Sequence, residues 1–210
     1  MYRYILVLLI VALCSFRISL QGDSDSQVMK IAESQLGMYL SRIEPGKEAD
    51  YGFSEKDDFD LCTVGKPYRI ITFNHDFYNN PIQDNGDYIV IQNQWRVPVT
   101  VSGQSRIMLD VSGNPGNLDV TAMEGAALAQ ELQQKSTGVS DSDEFYLLLV
   151  PQLSSAFFVH EGNNSFADAE FTPLSSAILA IPTLNGEKKA YSLTEIQKII
   201  KDALGKPDKK

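Results

Sequence analysis

The chain has 210 residues, of which 43% are hydrophobic, and a formal net charge of −9 at neutral pH. An acidic surface repels the phosphate backbone of nucleic acids and anionic membranes, so the charge argues against both as partners. The length suffices for a hydrophobic core, because a chain of about 150 residues already buries roughly 68–70% of the surface that it exposes when unfolded.

Residues 1–22 have the pattern of a secretory signal peptide. Arg3 provides a positive start, the run from Ile5 to Leu13 is apolar throughout, and we expect cleavage near Gly22. The apolar run is shorter than the about 20 residues that cross a bilayer, which predicts a mature chain without a transmembrane span. We therefore expect an exported protein, periplasmic or extracellular. A lipid anchor on Cys14 is the alternative, although bulky Leu13 precedes the cysteine where lipoprotein signals place a small residue.

The first predicted element after the signal is a helix over residues 26–42, which Pro45-Gly46 ends. Its apolar residues recur at helical spacing, as Val28, Ile31, Ala32, Leu36, Tyr39, Leu40 and Ile43. Residues 44–66 then form a long acidic loop, which leads into a predicted strand, Tyr68 to Phe73.

The stretch from Tyr88 to Val111 predicts the centre of the fold. Three runs rich in β-branched and aromatic residues are separated by Asn93-Gln94 and by Ser102-Gly103. Apolar residues alternate within two of the runs, which is typical of half-buried antiparallel strands, and the three runs together predict a meander. Pro98 predicts that its strand is an edge strand or carries a bulge, since proline cannot donate to a ladder.

The second half predicts a helix at 121–134, a polar linker from Ser136 to Asp143, and then further strands. The three predicted strands are Phe145 to Val150, Ala156 to His160 and Ser176 to Ile181. A helix at 193–204 follows, because Ser192 and Glu195 have the spacing of a capping box and the apolar residues after them form one face.

These elements predict an α+β fold, a mainly antiparallel sheet with a meander around 88–111 and three packed helices. The linker suggests two small lobes, residues 23–135 and 144–205, with a single domain as the alternative, and residues 206–210 are expected to be a disordered tail.

Cys62 is the only cysteine after the signal, so the mature chain forms no internal disulfide. One of the two histidines, His75, is close enough in sequence to pair with it as a catalytic dyad, which makes a secreted hydrolase one alternative. The apolar neighbours of Cys62 favour an inert, buried thiol instead. The sequence contains no serine nucleophile elbow and no phosphate-binding or other cofactor motif.

Aromatic and acidic residues provide two further candidate sites. Trp95, if exposed beside Tyr88 or Tyr68, could stack on a sugar or a peptide, although its place among the valines favours the core. Asp84 and Asp87 offer hard oxygen ligands for calcium, but their turn does not match an EF-hand, and such residues mostly bond to their own backbone. No metal or cofactor is therefore expected.

The leading interpretation is an exported, non-enzymatic binding or accessory protein of the cell envelope. It would recognise protein or peptide through a sheet edge or through the loops 44–66 and 161–170. The alternatives are the hydrolase with Cys62 and His75 and a carbohydrate-binding module that uses exposed aromatics.

Overall fold

A computed structural model describes residues 24–54, 59–139, 144–161, 165–184 and 189–205. The predicted signal peptide, the predicted tail and residues 140–143 of the predicted linker lie outside these ranges. The described chain is an α+β fold with one large, mostly antiparallel sheet. Its strands are β1 Thr63–Val64, β2 Tyr68–Phe73, β3 Ile89–Val101, β4 Gln104–Asn114, β5 Asn117–Glu124, β6 Phe145–Val150, β7 Ser155–His160 and β8 Glu170–Pro173. Its helices are α1 (24–40), α2 Ala126–Ser136, α3 Ser175–Ala180 and α4 Leu193–Ala203.

The strands lie in the order β5-β4-β3-β2-β6-β7-β8, and β1 pairs with the far end of β3. The pairing of β2 with β6 is parallel, whereas the other ladders of the described chain are antiparallel. This parallel pair joins strands from both halves of the sequence in one sheet. The predicted linker therefore lies in the connection from β5 through α2 to β6.

The two faces of the sheet are covered by different helices. Residues directly opposite each other in a ladder share a face, so Trp95 identifies one face and its neighbour Arg96 the other. Helices α1 and α4 cover the Trp95 face, and α2 packs on the Arg96 face through Ala129 and Leu132.

The amphipathic helices form where their sequence predicts them. The side chains of α1 at Val28, Ala32, Leu36 and Leu40 are all buried, because a spacing of four residues returns each to the sheet side. Helix α4 begins with the predicted capping box, in which Ser192 and Glu195 bond to each other's backbone N–H groups. The predicted strands at 68–73, 145–150 and 156–160 are also confirmed.

Three local predictions are wrong. Residues 121–124 belong to β5 rather than to a helix, because a tight turn after Asn114 returns the chain antiparallel to β4, and the helix begins only after Gly125. The segment 176–181 lies mainly in α3 rather than in a strand, and the first turn of this helix is held by Glu131, whose Oε1 accepts from the Ser175 N–H at 2.7 Å. Strand β3 is continuous through 93–94, where a break between two strands was predicted.

Within the described ranges, every helix falls short of the length and apolarity that a bilayer crossing requires.

Candidate functional site

Strand β3 extends beyond the end of its neighbour β4. The ladder between them begins at Gln94, which is opposite Ser112, whereas β3 itself starts at Ile89. On the other side, β2 pairs with Ile89, Val90 and Ile91 of β3, and after a register shift the pairing resumes at Trp95. Residues 89–93, named here the open segment, therefore form no ladder with β4. At the end of the segment β4 still lies alongside, since Asn93 Nδ2 donates to Asn114 Oδ1 at 3.2 Å, so the open side is residues 89–92.

The backbone directions in the open segment follow from two hydrogen bonds. Asn74 N–H donates to Tyr88 O at 2.8 Å, which makes the neighbouring pair Phe73–Ile89 a non-hydrogen-bonded one. Ile89 N–H accordingly turns away from β2 and donates to Gly86 O at 2.9 Å. Because bonding directions alternate along a strand, Val90 bonds towards β2 and Ile91 presents its N–H and C=O to the open side.

The open segment carries no charged residue, and its first three residues are apolar. Val90 is 38% exposed and Ile91 is 40% exposed, two of the few large hydrophobic side chains on the surface of the described chain. On the β2 side the segment is held firmly, since Arg69 Nε donates to Gln92 O at 3.3 Å and Gln92 Nε2 donates to Thr72 Oγ1 at 2.8 Å. The open side is thus a preformed strand edge.

The outer edges of the sheet differ from this one. At the β8 edge, Phe171 and Tyr191 exchange two backbone hydrogen bonds of 2.9 Å, which occupies part of that edge. The β5 edge carries the charged residues Asp119 and Glu124, and charge on an edge opposes strand addition. Pro98 lies inside the sheet, opposite Met108 of β4, so the prediction that its strand is an edge strand is wrong at this position. The other predicted alternative was a bulge, and a register shift does follow directly after Val99.

A small polar cleft on the Arg96 face begins where the open segment ends. Its volume is about 110 Å³, far below the roughly 300–1,000 Å³ of sites for drug-sized ligands. Its lining includes Ile70, Gln94, Arg96, Asp110, Ser112 and Leu149. The cleft can therefore receive the end of a side chain rather than a whole organic ligand.

Two carboxylates share one guanidinium beside this cleft. Arg96 Nη2 lies 2.8 Å from Glu124 Oε1, and Arg96 Nε lies 3.3 Å from Asp110 Oδ1. The Asp110 Oδ1 atom is buried and has no well-formed hydrogen bond among the described residues. The pKa of Asp110 is raised from 3.8 to about 6, because burial and the nearby Glu124 raise it more than the attraction of Arg96 lowers it. When both carboxylates are ionised, they carry two negative charges against the single positive charge of Arg96.

A second group of charges lies on the Trp95 face, around the start of α1. Burial raises the pKa of Asp25 and Glu144 adds to this effect, whereas Arg69 and Lys66 lower it. The Trp95 indole N–H also lowers the pKa of Asp25, although it makes no hydrogen bond of good geometry. These charges come from separate elements and largely balance one another, so we assign them to anchoring α1.

Glu161 is part of the same group. Burial raises its pKa, the Tyr146 hydroxyl lowers it, and the nearby Glu144 raises it. Among the described residues, no three His, Cys, Asp or Glu side chains converge as a metal site would require.

The predicted dyad of Cys62 and His75 does not form. Cys62 precedes β1, whose Thr63 is opposite Thr100, whereas His75 follows the end of β2 near Tyr88. Twelve residues of β3 separate these two positions, which at about 3.3 Å per residue places the side chains on the order of 35–40 Å apart. A nucleophile and its base need about 3 Å. Cys62 instead packs half-buried against the core under α1.

The aromatic candidates are inside the protein. Trp95, Tyr88 and Tyr68 are 3%, 4% and 5% exposed, so the exposure on which sugar stacking depended is missing. Trp95 packs in the core of the Trp95 face, where its ring also stacks under Arg69.

The acidic turn satisfies itself locally. Asn85 Nδ2 donates to Asp87 Oδ2 at 2.6 Å, and Asp87 N–H donates to Asn85 Oδ1 at 3.2 Å. Asp84 lines a separate open depression together with Thr194 of α4. The turn is thus explained by backbone capping, and the calcium assignment to Asp84 and Asp87 gains no support from this geometry.

Sequence reasoning missed Arg96, Asp110 and Glu124. The available signal was the appearance of charged residues at alternate positions of otherwise apolar strands, but their convergence depends on the register of three strands. Comparison with protein-family models, with curated proteins and with solved structures found no match to this chain.

Proposed function

We propose that this is an exported binding protein of the cell envelope that recognises an extended protein or peptide segment by strand addition to the open segment. The observation that carries the proposal is the apolar edge at residues 89–91, with Ile91 N–H and C=O directed outward. Strand addition satisfies those groups and covers the exposed side chains of Val90 and Ile91.

Preorganisation favours such binding. Residues 89–91 are already fixed in extended form by their ladder to β2, and Gln92 is held by its own bonds to Arg69 and Thr72, so binding orders little of this protein. Export, the cell-envelope location and the division into two lobes belong to the proposal. They rest on the signal-like pattern of residues 1–22 and the polar stretch 136–143.

The test is selection from a displayed library of linear peptides, followed by affinity measurement with synthetic peptides. Ile91→Pro removes the outward N–H, and edge positions tolerate proline. We expect at least tenfold weaker binding by this variant. Ile91→Thr keeps both the N–H and the β-branched side chain and should bind within about threefold of the unchanged protein. Enriched peptides that bind Ile91→Pro with undiminished affinity would overturn the proposal, as would a failure to enrich any peptide.

A companion variant checks the assigned backbone directions. Val90 N–H points to β2, so Val90→Pro should break an internal bond and lower the free energy of unfolding by about 3 kcal/mol. Ile91→Pro should cost far less. Equal destabilisation by the two variants would show that the edge is not open in the way described.

A further inference from the structure

The Asn85-Gly86 pair in the turn before β3 has the chemistry of a site that modifies itself. We infer that Asn85 converts slowly to isoaspartate and aspartate through a cyclic imide with the backbone of Gly86, and that the isoaspartyl form opens this turn. Asn85 is exposed, and within the described ranges no other asparagine precedes a glycine. The inference does not depend on the proposed peptide binding.

The reaction needs only this chain and water. The Gly86 backbone nitrogen attacks Asn85 Cγ, forms a bond to it and loses its proton, and both groups belong to neighbouring residues, so the attack is intramolecular. The bond between Cγ and Nδ2 then breaks, and ammonia leaves with that proton. Water next adds to one carbonyl carbon of the imide and breaks the bond from that carbon to the Gly86 nitrogen. Opening at the main-chain carbonyl gives isoaspartate, in which the chain runs through Cγ, whereas opening at Cγ gives aspartate.

The turn holds the reacting groups together. Asp87 N–H donates to Asn85 Oδ1 at 3.2 Å, so the side-chain amide folds back across the Gly86 peptide unit that lies between them. The same N–H can stabilise the negative charge that develops on Oδ1 during the attack. Asp87 Oδ2 accepts from Asn85 Nδ2 at 2.6 Å, which places a carboxylate at the leaving nitrogen to carry its proton.

Gly86 supplies an accessible nucleophile. It has no Cβ to hinder the approach of its nitrogen, and its φ of +79° is one that residues with a side chain rarely adopt. Among the described residues, its N–H donates no hydrogen bond, so the attack breaks none. Asn74 offers the contrast. Its Oδ1 also accepts from a backbone N–H, that of Phe77 at 3.1 Å, but the residue that follows it is His75, whose Cβ hinders the approach.

The isoaspartyl product does not fit the turn. Gly86 O accepts from Ile89 N–H at 2.9 Å, and a Cβ added to Gly86 would come within 3.1 Å of the Phe166 Cβ. Isoaspartate inserts one methylene into the main chain directly before Gly86, which has little room to move towards Phe166. It also adds a negative charge between Asp84 and Asp87. We therefore expect the hydrogen bond from Ile89, which closes the turn at the start of β3, to break.

The first test is incubation of the folded protein at pH 8 for several weeks, followed by peptide mass spectrometry and an enzymatic assay for isoaspartate. We expect Asn85 to lose its amide at least tenfold faster than Asn74, with isoaspartate among the products. Asn85→Gln keeps the amide but needs a larger ring, and should form no isoaspartate in this turn. Equal rates at Asn85 and Asn74 would overturn the inference, as would loss of the Asn85 amide without isoaspartate.

Hydrogen exchange tests the structural consequence. The aged protein is fractionated by anion exchange, and the same assay identifies the isoaspartyl fraction. Asn85→Asp is the matched control, because it adds the same charge without the extra methylene. We expect Ile89 N–H to exchange at least tenfold faster in the isoaspartyl form, and within about threefold of the unchanged protein in Asn85→Asp. Equal exchange of Ile89 N–H in these two forms would overturn the opening of the turn.

Discussion

Replacing Asp110 by asparagine should stabilise the folded protein at neutral pH. Asparagine has nearly the same shape but cannot ionise, and Arg96 keeps its 2.8 Å pair with Glu124. The pKa of Asp110 is raised from 3.8 to about 6, so burial of the charged carboxylate outweighs its attraction to Arg96. The ionised form of this residue therefore opposes folding.

The magnitude follows from linkage. The difference between about 6 and 3.8, at about 1.36 kcal/mol for each pH unit, corresponds to about 3 kcal/mol. The folded state binds this proton more tightly than the unfolded state. The destabilisation by Asp110 is therefore absent below about pH 4, grows as pH rises from about 4 to about 6, and is nearly complete at pH 7. Since the side chain is 26% exposed, solvent screening reduces the effect, and we expect about 1–3 kcal/mol at pH 7.

The assay is urea denaturation of both proteins between pH 4 and pH 8, with the free energy of unfolding extrapolated to water. The advantage of Asp110→Asn should grow from about zero at pH 4 to its full value near pH 7. As a matched control, Asp76→Asn removes an exposed carboxylate and should stay within about 0.5 kcal/mol of the unchanged protein. An advantage that does not depend on pH, or a variant less stable at pH 7, would refute the reasoning, because Arg96 would then fully compensate Asp110.

Three further predictions test the packing and the geometry. Gln197→Leu should lower the free energy of unfolding in urea by about 2–4 kcal/mol, since this fully buried amide makes two hydrogen bonds to the backbone of the loop before β3. An unchanged urea midpoint would show that these two bonds do not stabilise the fold. Gly113→Ala should cost more than 2 kcal/mol by thermal unfolding, because φ is +135° and an added Cβ overlaps a carbonyl across the hairpin. Gly103→Ala, with φ of +77° and open space around it, should cost only about 1 kcal/mol. A greater loss of stability in Gly103→Ala than in Gly113→Ala would count against the described β4–β5 hairpin. The rate of thiol labelling at Cys62 should be unchanged in His75→Ala over pH 6–9, whereas a slower rate would restore the dyad.

Much of the secondary structure could be predicted because it is encoded locally. Helices α1 and α4 carry apolar stripes at helical spacing, and β2, β6 and β7 are short runs of β-branched and aromatic residues. The errors fell where local signals conflict with distant partners. Strand β5 leads directly into an alanine-rich helix, and the short apolar run at 176–181 has no period that distinguishes strand from helix.

By itself the sequence determined the acidic character of the chain, the amphipathic helices and the alternating strands, since each depends on neighbouring residues alone. Only the tertiary structure decided where each strand stops relative to its neighbour, and hence that residues 89–92 have an open edge. It also decided that Arg96, Asp110 and Glu124 meet beside that edge, and that Cys62 and His75 lie at opposite ends of β3. The physical reason is that strand register is set by contacts between residues far apart in the chain, and the local period of two carries no information about them.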